Sequence, residues 1–299
     1  MERLTLYLYV LLLLVACSDA RAAQGVIAPY PPDGIFHALE GGQVANPLDW
    51  PASPWMGNCS GTALGEQVVG YAAHCIRNGG TVNFRILSTV YSARCTHNPE
   101  YRNNSTADHV LCKVTTKLPA LPFENWNTDP NLVKVGDMVT LTGYGCQKWG
   151  GQLDGKFRTG RSPVVRLPRG TNYDYVTDGQ AAVCSGDSGG ALYAVFEDGV
   201  RRVIGFNSRR QTNAKISLIP TTSAASVLTW AKNWAQANGV KICGIHADAT
   251  GCRPETPAPD LAFEATGKAG MCKGTVNADY EPVKAEVQKA VSAALDSVN

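Results

Sequence analysis

Cys184-Ser185-Gly186-Asp187-Ser188-Gly189-Gly190-Ala191-Leu192-Tyr193 places a serine between glycines, with an aspartate directly ahead of it and an apolar run behind. The pattern suits a nucleophile on a tight turn. Glycine lets the backbone turn with no side chain in the way. It also lets neighbouring amide N–H groups aim at one point, where a developing oxyanion can be held. A Ser-Gly pair alone is ordinary loop chemistry, so the reading depends on partners elsewhere in the chain.

Two partners stand upstream. Tyr71-Ala72-Ala73-His74-Cys75 sets a histidine behind small residues and ahead of a cysteine. Ala107-Asp108-His109-Val110-Leu111-Cys112-Lys113-Val114 opens a strand-like run with an aspartate. The order along the chain is His, Asp, Ser. A serine hydroxyl is a poor nucleophile at neutral pH and needs a base to take its proton and return it to the leaving group. Imidazole, with an ordinary pKa near neutrality, suits both steps. His74 is the candidate. His37, His97, His109 and His246 lack its small-residue, cysteine-flanked setting. Adjacent side chains of a strand point to opposite faces, so His109 is expected on the face away from Asp108, as a surface histidine. Asp108 itself also reads as a loop cap before a strand.

These motifs, with Cys59-Ser60-Gly61-Thr62-Ala63-Leu64 and Gly143-Tyr144-Gly145 in support, resemble the chymotrypsin/trypsin-like serine protease family over roughly residues 39 to 238. The resemblance implies an all-β fold of two six-stranded antiparallel barrels with the site between them and a closing helix. It implies Ser188 as nucleophile, His74 as general acid/base and Asp108 as the group that orients the imidazole. The amides of Gly186 and Ser188 would form the oxyanion hole. Asp187 would be an activation switch, pairing with an ammonium freed by cleavage before Leu39. Leu39-Glu40-Gly41-Gly42 looks like a degenerate form of the family's activated N-terminus. Glu40 stands there where an apolar residue is usual, and a glycine turn entering the first strand is the alternative.

The residue at the base of the substrate pocket lies six positions before the nucleophile, at Ala182. An alanine removes the carboxylate that a preference for Lys or Arg needs. Ser208 aligns with the serine that supports the triad aspartate, and Arg209 and Arg210 follow it, either near the pocket mouth, where an arginine would favour acidic substrates, or as a solvated loop pair. Elastase-like, chymotrypsin-like and acidic preferences stay open. Cys59 and Cys75 fit the family's bridge beside the histidine. Cys95 and Cys112 bracket the strand pair before and after Asp108, and Cys146 is placed to bridge to Cys184. The implied function is an exported serine endopeptidase acting on protein or peptide substrates through an acyl-enzyme, with no cofactor and no metal. The rival is a catalytically silent binding or scaffold protein on the same fold.

The formal net charge of +2 and the absence of a basic block argue against a nucleic-acid surface. A hydrophobic fraction of 44% suits a sizeable core. Residues 4–16 form an apolar run too short to span a membrane comfortably and suited to a signal peptide ending near residue 22. Leu14-Val15-Ala16-Cys17 resembles a lipobox, which would lipidate Cys17 and attach the protein to a membrane. Ala20-Arg21-Ala22 offers an ordinary signal-peptidase site instead. Export makes disulfides expected, secreted or periplasmic. With Cys17 lipidated or removed, nine cysteines remain, an odd count that leaves a thiol over.

Residues 23–38 read as a linker or propeptide, 39–239 as the protease domain and 240–299 as a C-terminal extension. Short alternating runs such as Thr81-Val82-Asn83-Phe84-Arg85-Ile86-Leu87, broken by Gly, Asn, Asp and Pro, mark a barrel or sandwich. From Thr222 to Ala237 the apolar period becomes helical, with Thr222 or Ser223 as cap and Gly239 as stop. Residues 281–298 carry an apolar stripe of Val283, Val287, Ala290, Val291 and Leu295, for a helix on the protease body or a tail for an unknown partner.

Overall fold

The computed structural model describes residues 39–255, apart from 197–198 and 212–213. The segments read as signal peptide, lipobox, propeptide and amphipathic tail lie outside the described residues, as do Cys17 and Cys272. Among the described residues no helix is long and apolar enough to cross a membrane.

A two-residue β1 (Gln43–Val44) leads in and pairs with a strand of the second half. The first half is built from β2 (Thr62–Gly65), β3 (Val68–Tyr71), β4 (Thr81–Ile86), β5 (Thr89–His97) and β6 (Val110–Val114). Their order is β2-β3-β6-β5-β4, and Trp55 closes the ring by bridging to both Ser60 and Arg85. The second half holds β7 (Met138–Gly143), β8 (Arg158–Arg166), β9 (Asp174–Asp178), β10 (Ala191–Val195), β11 (Arg201–Phe206), β12 (Arg209–Arg210) and β13 (Ile216–Pro220). Six of these run in the order β11-β10-β7-β8-β9-β13, and a Gly205–Thr221 bridge joins the two ends. Every pairing between named strands is antiparallel. The expected double barrel is therefore the fold, each ring closed by short bridges that strand periodicity does not reveal.

Alternation along β6 shows how one strand serves two cores. Val110, Cys112 and Val114 face the interior of the first barrel, while Leu111 faces a second apolar cluster shared with Phe206, Trp126 and the closing helix. That cluster seals the space between the barrels, and the site residues sit on loops at its edge. A third cluster fills the second barrel and includes Leu39, which is wholly buried and has a positive φ of 46°.

The closing helix, α1, runs Ala225–Asn238. Its end agrees with the sequence: Gly239 is left-handed and its N–H donates to the carbonyls of Ala235 and Gln236. Its start does not. The N-cap is Ala224, without a side-chain cap, because the expected capping hydroxyls are used elsewhere. Thr222 donates to the carbonyls of Asn127 and Val203, and Ser223 bonds Thr221.

Residues 240–255 pack on the body. Val240, Ile242 and Cys243 are buried, and a Cys243–Cys252 disulfide closes the stretch. Arg253 reaches the buried Glu124, which also pairs with the buried Arg201. Burial alone would raise the Glu124 carboxyl, but the two guanidiniums outweigh it and hold it below the usual range.

Candidate active site

A 3₁₀ turn, Ala73–Cys75, presents His74 from the first barrel, and the Cys59–Cys75 disulfide anchors that turn. The ring Nδ1 lies 2.6 Å from Asp108 Oδ2, and the ring Nε2 lies 2.9 Å from Ser188 Oγ. The His74 amide donates to Asp108 Oδ1 at 2.8 Å, and the Ser208 hydroxyl donates to Oδ2 at 2.5 Å. Asp108 is 1% exposed. Burial alone would raise its carboxyl. The hydrogen bond and charge of His74, then the Ser208 hydroxyl and the His74 amide, reverse that and hold it below the ordinary aspartate value. Three residues separated in sequence thus form one hydrogen-bonded line, with the Ser208 hydroxyl also on Asp108.

The nucleophile turn is shaped by glycine at two points. Gly186 and Gly189 have φ of 97° and 81°. A Cβ on Gly189 would lie 2.4 Å from the Ser60 carbonyl oxygen, so the turn rests directly on the first barrel. The amides of Asp187, Gly189 and Gly190 donate to Cys184, Asn207 and Asp187 carbonyls. Those of Gly186 and Ser188 donate to nothing among the described residues, which leaves two N–H groups on one turn beside Ser188 Oγ.

Asp187 lies fully buried beneath that turn. Its carboxylate accepts the amides of Gly145 (2.7 Å) and Cys184 (2.8 Å). Burial dominates and pushes it up to about 8, against the pull of those two amides and the charge of Arg158. The Cys146–Cys184 disulfide ties the two amide-bearing segments together. Cys95 pairs with Cys112 across β5 and β6. The three expected pairings are all present, and Cys243–Cys252 uses two of the cysteines left over.

Ala182 is wholly buried, and its amide donates to the Glu40 carbonyl. Arg210, on β12, has a side chain 5% exposed that pairs with Glu40 at 2.5 Å and donates to the Ala214 carbonyl. Burial would raise Glu40, but Arg210 and then Lys215 hold it below its usual value. Arg209 points elsewhere, to Asp174.

His109 corrects the surface reading. It is fully buried, its Nε2 bonds the Thr221 carbonyl at 2.9 Å, and burial pushes its pKa down. His109 precedes β6 rather than lying in it, and its ring is covered by Phe206 and by Trp230 of α1.

Two residues near the site had no role in the sequence reading. The Ser60 amide donates to the Ser188 carbonyl, and its hydroxyl donates to the Gly186 carbonyl while accepting from the Tyr144 amide. Asn207 donates to the carbonyls of Thr142 and Asp187. Both pin the nucleophile turn. Ser60 stands in the Cys59–Leu64 stretch that supports the resemblance, while the local signal for Asn207 is adjacency to Ser208. Cys59 and Cys75 sulfurs approach a His74 ring nitrogen within 4.8 Å, but they are joined to each other and offer no thiolate to a metal.

Comparison with known proteins places this arrangement among relatives. The family model described as Trypsin matches residues 40–231, more than half of the chain. Chymotrypsin-C of Bos taurus is 25% identical over 250 residues, covering 68% of this chain and 91% of that protein.

Proposed function

Because this chain belongs to the trypsin family of serine proteases, we propose that it is an active, exported endopeptidase. The single observation that supports this most is the line Ser188 Oγ–His74 Nε2, 2.9 Å, and His74 Nδ1–Asp108 Oδ2, 2.6 Å. In this reading His74 takes the Ser188 proton as Oγ attacks the peptide carbonyl. Asp108 stabilises the imidazolium that forms and fixes its tautomer. The Gly186 and Ser188 amides receive the oxyanion, a pair whose individual members are typically worth roughly 10²–10³-fold in turnover. His74 then returns the proton to the leaving amine. Water attacks the acyl-enzyme by the same route in reverse.

The specificity that fits this site is not trypsin-like. Ala182 has no charge to pair with Lys or Arg. Arg210 brings a cation to the same neighbourhood, where a substrate carboxylate would compete with Glu40. A peptide library is expected to favour acidic or small residues before the cut, with Arg210→Ala erasing the acidic preference. Strong cleavage after Lys or Arg would sink the assignment of Ala182. Four disulfides agree with an oxidising, extracellular setting. Processing before Leu39 would supply Asp187 with a cationic partner, and N-terminal sequencing of the active species checks it.

The test of activity is intact mass before and after a fluorophosphonate. One adduct that disappears in Ser188→Ala supports the reading. A mature, folded chain that takes no adduct would leave a silent binding protein instead.

A further inference from the structure

The segment between β5 and β6 belongs to the first barrel and ends in Asp108 and His109, yet much of its anchorage comes from the second. Asn104 Nδ2 donates to the Thr171 carbonyl at 2.8 Å. The Tyr173 amide donates to Thr106 Oγ1 at 3.0 Å, and its hydroxyl donates to Glu100 at 2.6 Å. One cation joins these contacts. Arg209 Nη1 donates to the Ser105 carbonyl, three residues ahead of Asp108, and its Nη2 pairs with Asp174 Oδ2 at 2.5 Å. The residue before it, Ser208, puts its hydroxyl on Asp108 itself. Two adjacent residues of the second barrel therefore grip the Asp108 segment at two points.

Asp174 holds the guanidinium from β9. It is 3% exposed, and its Oδ1 bonds nothing among the described residues, so this buried carboxylate rests on Arg209. Burial pushes Asp174 up. The charge and hydrogen bond of Arg209, then the charge of Arg166, oppose that, and the Asp108 charge adds to the rise. The two carboxylates thus lie in each other's field. Tyr101 feels both Asp108 and Arg209, and the buried His109, held towards its neutral form by burial, is a further titratable neighbour of Asp108. A planar guanidinium can serve a carbonyl and a carboxylate at once, which an ammonium does less well. Resting on the triad reading above, we infer that Arg209 is a positioning residue for the line Asp108–His74–Ser188. Through Ser105 it fixes the main chain that carries Asp108. By neutralising Asp174 it keeps a second buried anion from acting on the His74 imidazole. Reacting groups misplaced by about 1 Å lose about 10²-fold in rate, so a grip this close to Asp108 bears directly on turnover.

Three variants test this. Arg209→Gln removes the cation, Asp174→Asn removes the anion, and the double variant removes both without leaving a charge buried alone. Circular dichroism checks each fold. Fluorophosphonate labelling and steady-state kcat and KM need an active enzyme. NMR titration of the His74 ring in histidine-labelled protein, assigned with His74→Gln, needs only a folded one. If the wild type takes no label, the activity reading fails while the ring titration still judges Arg209. Arg209→Gln is expected to lower kcat about 10- to 100-fold, with KM within about 2-fold. The midpoint of the His74 titration should rise by about half a unit or more in Arg209→Gln and fall in Asp174→Asn, because an uncompensated anion favours the imidazolium and an uncompensated cation disfavours it. In the double variant the midpoint should return to that of the wild type while kcat stays low, since the grip on Ser105 is still missing. Arg209→Lys keeps the charge without the fork, and should hold the midpoint while recovering only part of kcat. His74 midpoints unmoved in both single variants, a loss confined to KM, or an unchanged kcat in folded, active Arg209→Gln would each overturn the proposal.

Discussion

Asp108 and Asp187 are both buried carboxylates within one residue or one hydrogen-bond line of Ser188, yet their surroundings push them in opposite directions. Asp108 receives an imidazole, a hydroxyl and an amide, and is held below its ordinary value. Asp187 receives only two amides and is pushed up to about 8. Burial is the largest single influence on each. The difference is the number and charge of the donors that meet it. Desolvation is costly unless compensated, so the first carboxylate is compensated by its donors and the second lacks a full partner. Under the proposed function the contrast would match two different tasks: one carboxylate would stabilise a cation that appears in every catalytic cycle, the other would wait for a cation that arrives once.

The contrast breaks most visibly at Asp108. Asp108→Asn is expected to lower kcat about 10⁴-fold with the fold intact, by losing the charge and the tautomer of His74. Steady-state rates with circular dichroism check this. The next effect is a pH dependence of stability between about pH 4 and about pH 8. Asp187 has a folded pKa above its unfolded value, so the unfolded chain releases this proton first. The stability of the unprocessed chain should fall as pH rises from about 4 to about 8, by up to about 1.4 kcal/mol per unit from this group. Denaturant unfolding across that range, with Asp187→Asn as the reference, measures it. Processing before Leu39 is expected to flatten the slope, and an unchanged slope would argue against the ammonium pairing. Asp108 works in the other window. Its depressed pKa supplies stability above its unfolded value near 3.8 that disappears as pH falls through the folded value. The smallest effect is Ser208→Ala. Removing one hydrogen bond to a charged group costs about 1.5–3 kcal/mol, and it should shift the acid limb upward, visible in the same unfolding series.

Much of the site was readable because its constraints are local. The glycines at 186 and 189 are required by backbone geometry within a few residues, and the small residues ahead of His74 by the turn that carries it. The barrels were legible as short alternating runs, although their closure at Trp55 and Gly205 depends on pairings that no local pattern carries. What escaped was decided at long range. Thr222 looks like a helix cap until two distant carbonyls take its hydroxyl. His109 looks exposed until α1 covers it. Glu124 carries no local motif, and Arg201 and Arg253 converge on it from residues far along the chain. The pairing of Cys243 with Cys252 has no spacing rule behind it, since three cysteines competed.

Leu39 carries a further meaning. Its left-handed backbone disfavours a residue with a Cβ by roughly 1–2 kcal/mol, yet its side chain is completely enclosed by the second barrel. The torsion that makes it unfavourable is defined by the carbonyl carbon of the preceding residue. Hydrolysis of the 38–39 bond would remove that atom, and the torsion would cease to exist while the side chain stayed in its socket. The cut would then act as the release of a drawn spring: the same docked leucine, relieved of its twist, becomes easier to keep in place after processing than before it.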